Sequence, residues 1–179
     1  DIRRGTKDVN ATFDSQFGDQ FFSDQSKAYR DYAMPQLETQ RGDAAKELTF
    51  SLARSGLLDS SSRSNLEAEL QRTYDLQRQD IADKAQAAAN QARTSVEDAR
   101  TNLITTLTAT GDAKGAAQGA INRAQTLSQP QAYSPLTSLF ANFTAGLGTQ
   151  AAAERSFNAG GARPTYVTGL FSSGGVQNR

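Results

Sequence analysis

The chain of 179 residues contains no cysteine, no histidine and no tryptophan. Without cysteine and histidine there are no disulfides, no thiolate nucleophiles, no Cys/His zinc sites and no triads built on an imidazole base. An excess of one charge is missing too. Nineteen Lys and Arg balance nineteen Asp and Glu, which leaves neither a basic nucleic-acid face nor an acidic tail. Hydrophobic residues make up 37% of the chain, below the ~45–50% of ordinary globular domains even though that range counts glycine. Much of this share is alanine, which buries little area, so a large compact core is not expected. At 21% charged residues, the chain is not a highly charged disordered one either. It has no signal-peptide pattern and no apolar run of the ~20 residues that a membrane-spanning helix requires. Its first residue is Asp1 rather than Met, which suggests a processed chain or part of a longer product.

What charge there is lies unevenly. Residues 1–59 hold 8 basic and 10 acidic side chains, residues 60–111 hold 6 and 7, and residues 112–179 hold 5 and 2. From Ala124 to Ala153 there is no charge at all. The C-terminal third is therefore a different material from the rest.

Gly5, Asn10 and Gly18, with Phe13 and Phe17 scattered among them, predict an extended arm over 1–18. Phe17, Phe21 and Phe22 would anchor it onto another surface, outside the arm and its helices. A short helix follows over Phe21–Met34. Pro35 ends it and opens the next helix, where its missing N–H costs nothing. That second helix, Pro35 to Ser55, carries Leu37, Ala44, Ala45, Leu48 and Leu52 at helical spacing, with Gly56 as its stop. Ser64 and Glu67 have the spacing of a capping box.

Nothing breaks the helical pattern from about Asn65 to Thr110, and Gly111 closes it. The apolar or small positions are Leu70, Tyr74, Ile81, Ala85, Ala88, Ala92, Val96, Ala99, Leu103 and Leu107, with Gln77 in the one gap. Leu70, Ile81, Ala92 and Leu103 are equivalent under an eleven-residue repeat, as are Tyr74, Ala85, Val96 and Leu107. That period gives a nearly straight or slightly right-handed bundle rather than a left-handed heptad coil. At ~1.5 Å per residue such a helix is roughly 70 Å long, too long for a compact globule whose radius of gyration would be near ~16 Å. The second helix covers less than half of the stripe. The remainder is expected to be an oligomer seam, covered by another copy or by a larger assembly.

Gly111, Gly115 and Gly119 recur every four residues. Asp112, Lys114 and Gln118 among them favour a weak helix that bends or packs tightly on protein over a membrane packing motif. Residues 128–153 read as a linker and an uncharged amphipathic helix opened by Pro135. Leu136, Leu139, Phe140, Phe143 and Leu147 form its apolar face, opposite Ser, Thr, Asn and Gln. This face is the expected membrane or channel-wall contact. Interfacial membrane helices normally carry a basic face, so the pattern suits pore lining or docking on protein better than free membrane binding. Residues 154–179 read as an extended Gly/Ser-rich tail, in which Tyr166, Val167, Leu170 and Phe171 could add to a partner surface. The fold class expected is all-α: an elongated, oligomeric helical hairpin over 19–127 with one very long helix, an N-terminal arm and a C-terminal tail.

Catalytic chemistry finds little to use here. General acid–base work needs paired carboxylates in a sheltered cleft, whereas Glu67 with Glu69 and Asp80 with Asp83 read as solvated helix charges. Ser60–Ser62 have no base to activate them, and no phosphate loop is present. Arg41-Gly42-Asp43 falls within a helix. The sequons at Asn10 and Asn142 are short patterns that arise by chance. No enzyme, cofactor or metal is expected.

The order of these parts resembles the internal virion, or ejection, proteins of short-tailed bacteriophages, and most of all the smallest internal core protein of that set. The likeness rests on Tyr29-Arg-Asp-Tyr32-Ala-Met-Pro35-Gln-Leu37-Glu-Thr-Gln40 leading to Leu52-Ala-Arg54-Ser-Gly56-Leu57-Leu58-Asp-Ser60-Ser61. A long helix rich in Ala, Gln, Arg and Asp follows, then Ser134-Pro135-Leu136, a small-residue segment and a Gly/Ser tail. It spans roughly Gln25 to Arg179; the N-terminal arm departs from it. The resemblance implies a protein of the capsid interior or tail lumen, near the portal, that leaves ahead of the genome. It would help build a conduit through the host envelope and periplasm. The implied partners are further copies in a ring or tube, neighbouring virion proteins, the host membrane, and genome DNA only in non-specific passage. A static tail adaptor or connector bound to the portal would use the same helices.

Overall fold

The computed structural model describes residues 1–158. They form five helices and no strand: α1 (Ile2–Gln16), α2 (Asp19–Ser55), α3 (Ser61–Thr110), α4 (Ala113–Leu127) and α5 (Ala141–Asn158). The described chain is all-α. It divides into two compact units, one made of Asp1–Ala33 with Ile81–Ser134, the other of Met34–Asp80 with the chain from Pro135. α2 and α3 each contribute to both.

In the first unit the expected extended arm over 1–18 is a helix. Gly5, Val9 and Phe13 recur every four residues and are all buried, so one face of α1 is fully used. Gly5, which resembles a helix breaker in the sequence, is there for proximity. A Cβ at this position would lie 2.9 Å from Leu107 Cδ2 and 3.2 Å from Ala113 Cα, and α1 packs along α4 through this close approach. Phe17, Phe21 and Phe22, expected as anchors onto another surface, instead pack into the unit's own core. Ring centroids step from Phe13 to Phe17 at 5.6 Å, to Phe21 at 4.9 Å and to Phe22 at 5.3 Å. Ala92, Val96, Ala99 and Leu107 of α3 and Ala116, Ala120 and Ala124 of α4 complete this core. Gly111 closes α3 at φ 70°, its N–H donating to Leu107 O at 2.8 Å. This is the left-handed cap that a residue without Cβ adopts at least cost. Asp112 then caps α4, Oδ1 accepting from Gly115 N at 2.9 Å.

In the second unit, Leu37, Ala44, Leu48 and Leu52 of α2 and Leu66, Leu70 and Tyr74 of α3 are buried. α2 does not restart at Pro35 as expected: the helix is continuous, with Pro35 inside it. A proline here deprives the carbonyl of Asp31 of its amide donor. Asp31 and Pro35 both lie on the exposed side, where solvent takes the donor's place. Gly56 (φ 73°) ends α2, with Leu57 N donating to Leu52 O at 2.9 Å and Gly56 N to Ala53 O at 3.3 Å, the pattern of a Schellman cap. α3 begins at Ser61 rather than Asn65, so Ser64 lies within the helix and forms no capping box. Glu67 instead receives Arg63 Nε at 2.8 Å.

Residues 128–140 form no helix, and α5 starts at Ala141 rather than at Pro135. The tail expected from residue 154 is helical to Asn158. Its remainder, with Tyr166, Val167, Leu170 and Phe171, lies outside the described residues.

Candidate functional site

Two features single out possible working surfaces: the α3 stripe and the segment around α5. The stripe is already covered within one chain. Leu70, Tyr74, Ile81, Ala85, Ala92, Val96, Ala99 and Leu107 are buried, while Ala88 and Leu103 are half-buried. Ala89 rather than Ala88 is the buried alanine at that turn. The expectation of an uncovered seam rested on a partner helix of about half the stripe's length. That premise is corrected: α2 is one helix of 37 residues, and Phe22 of α2, the unforeseen helix α1 and the tightly packed α4 share one core with α3. Leu103 shows the closeness, since a Cβ on Gly119 of α4 would stand 3.0 Å from its Cδ2.

The C-terminal segment is seated rather than free. Gln36 and Gln40 lie one turn apart on α2, hence on one face. Gln36 Oε1 accepts from Leu136 N at 2.9 Å, and Gln40 Oε1 accepts from Leu139 N at 2.7 Å. Gln40 Nε2 donates to Thr137 O at 3.4 Å. Two side-chain amides therefore satisfy the main chain of a stretch that has no helix or strand to do so. Beyond it, Phe140, Phe143 and Leu147 are each only 3% exposed, while Leu136 and Leu139 are half-buried. The face expected to meet lipid or a channel wall is turned inward in this state. Its five members are also not one helical face, because Leu136, Leu139 and Phe140 precede α5.

Charged side chains are used between helices. Arg41 stacks 4.4 Å above the Tyr74 ring centroid and donates to Gln71 Oε1 at 2.9 Å. Tyr74 Oη donates to Glu38, and this bond, with burial, holds its phenol above the usual range. Arg93 sits over Phe22 at 4.7 Å, and Arg100 over Phe13 at 5.7 Å. Among the described residues no group of three or more acidic side chains is placed to hold a metal ion, and no helix is long and apolar enough to cross a membrane.

Sequence reasoning missed Gln36 and Gln40. Glutamine is an ordinary helix residue, and nothing in its spacing shows that it reads a distant main chain. The one available signal was Pro135-Leu136, which marks a stretch whose amides need outside partners.

These features define an all-α protein of packed helices with a docked C-terminal segment. No protein-family model matches the chain, and neither does any curated protein or solved structure.

Proposed function

We propose that this chain is a non-enzymatic internal virion protein of the ejection type, placed near the portal or in the tail lumen of a short-tailed phage, which helps form the conduit for genome delivery. The order of sequence segments from Tyr29 to the Gly/Ser tail carries the reading. The packing is compatible with it. Ala85, Ala89, Ala92, Val96 and Ala99 are consecutive buried positions of α3. Layers of such small side chains remove little apolar surface, at ~25 cal/mol per Å², so opening them for passage through a narrow channel costs little per residue. No cysteine cross-links the chain.

Further copies of the chain, neighbouring virion proteins and the host envelope are the partners in this reading, with DNA only passing through. The α3 stripe is not the face offered to them, since the chain covers it. Phe140, Phe143 and Leu147 become the lipid or channel-wall contact once uncovered.

Protein mass spectrometry of purified particles before and after genome release tests the reading. The chain is expected in intact particles and depleted from emptied ones. Absence from intact particles would overturn it, and full retention in emptied particles would point to the static connector instead.

A further inference from the structure

We propose that residues 135–149 form a releasable strap, seated on Gln36 and Gln40, whose opening uncovers a ready-made apolar face while α1 and α4 stay folded. The seat is small and specific. Among the described residues, three hydrogen bonds, at 2.9, 2.7 and 3.4 Å, join two side chains of α2 to the main chain at 136, 137 and 139. Three large side chains, Phe140, Phe143 and Leu147, supply the buried contact.

The approach to the strap is fixed at one point. Tyr133 meets Tyr29 edge-on at 5.2 Å and Tyr32 at a tilt at 5.4 Å between ring centroids, which pins the linker to α2. Ser134 and Pro135, immediately beyond, are exposed and in no helix. Movement from Ser134 onward therefore melts no secondary structure before the seat itself. Three large buried side chains hold this stretch, against eleven buried residues in the core of the first unit, and regions with fewer buried contacts open at lower free energy. The described strap also carries no charged side chain. Transfer of its face to an apolar surface thus desolvates no ion, whereas a face rimmed by Lys or Glu would resist such a move.

What the freed face meets rests on the function proposed above; the release itself is a property of the free protein and is measured without lipid. Hydrogen exchange of the full chain, read by mass spectrometry, is the test. Amides of residues 136–149 are expected to exchange at least ~10-fold faster than those of Ile81–Leu107, through an opening of their own. The double variant Gln36→Ala, Gln40→Ala is expected to accelerate 136–149 a further ~10-fold and to leave α1 and α4 unchanged. Alanine favours helix at both positions, so α2 keeps its protection. Gln40→Ala alone, which removes two of the three bonds, gives a smaller effect of the same pattern and serves if the double variant does not fold. Equal exchange in 136–149 and in α3, or acceleration of all helices together, overturns the strap.

Phosphatidylcholine vesicles supply the second arm. Greater vesicle binding by the double variant than by the parent supports an apolar target for the released face. Release without any gain in vesicle binding retains the strap and removes lipid from the functional reading.

Discussion

Arg100 Nη2 donates to Asp14 Oδ1 at 2.7 Å across 86 residues of sequence, and the same guanidinium lies over the Phe13 ring. The two partners contribute unequally, because the Asp14 side chain is 65% exposed and that of Arg100 is 21% exposed. Exposed ion pairs contribute ~0–1 kcal/mol. Asp14→Asn is therefore expected to cost under ~1 kcal/mol. Arg100→Ala also loses the stacking and the packing of its stem, and about 1–2 kcal/mol is expected. Urea midpoints of the two variants check the order.

Gly5→Ala sets helix propensity against packing. Alanine in mid-helix would gain ~0.5–1 kcal/mol over glycine. Here the new methyl group would meet Leu107 and the backbone of Ala113 at 2.9 and 3.2 Å, and overpacking of this kind costs ~1–3 kcal/mol. The net change is expected to be destabilising, seen as a lower melting temperature. A neutral or higher value would mean that α1 can withdraw from α4 without loss.

Phe143 and Leu76 offer a contrast between two apolar residues of similar character. Phe143 is 3% exposed and Leu76 64% exposed. Phe143→Ala is expected to cost ~3–5 kcal/mol in the seating of α5, whereas Leu76→Ala falls within about ±0.5 kcal/mol. Limited proteolysis near residues 128–135 should rise steeply for the first variant and stay unchanged for the second.

Tyr74 gives a pH dependence. Its hydrogen bond to Glu38, then burial, raises its phenol above the usual tyrosine value of about 10. The unfolded chain therefore loses this proton before the folded one does. The stabilisation is fully present below pH ~10 and is lost as pH rises through the folded value. Stability should fall on the alkaline side, and Tyr74→Phe should make that fall shallower. Denaturation midpoints measured from neutral to strongly alkaline pH decide it.

The helical class was legible because period and punctuation agree over much of the chain. Gly56 and Gly111 stand where apolar spacing stops, and both adopt positive φ. The N-terminal helix was hidden because Gly5 has two uses, breaking helices and admitting neighbours, and composition does not tell them apart. Pro35 misled for a related reason: on an exposed helix face the lost hydrogen bond goes to solvent, so the helix continues. The cover over the α3 stripe was missed as a consequence of the first error, since an arm read as extended cannot supply a helix or brace α4. The seat of the C-terminal segment lies in contacts between residues about a hundred positions apart, which spacing along one helix does not encode.

Gln36 and Gln40 grip two main-chain amides and a carbonyl, groups that almost every residue type possesses. Leu136, Thr137 and Leu139 can therefore change identity over generations without loosening those bonds, provided that neither Leu136 nor Leu139 becomes proline, which has no N–H to offer. Variation is tolerated along the held stretch, and constraint falls on the two glutamines that do the holding.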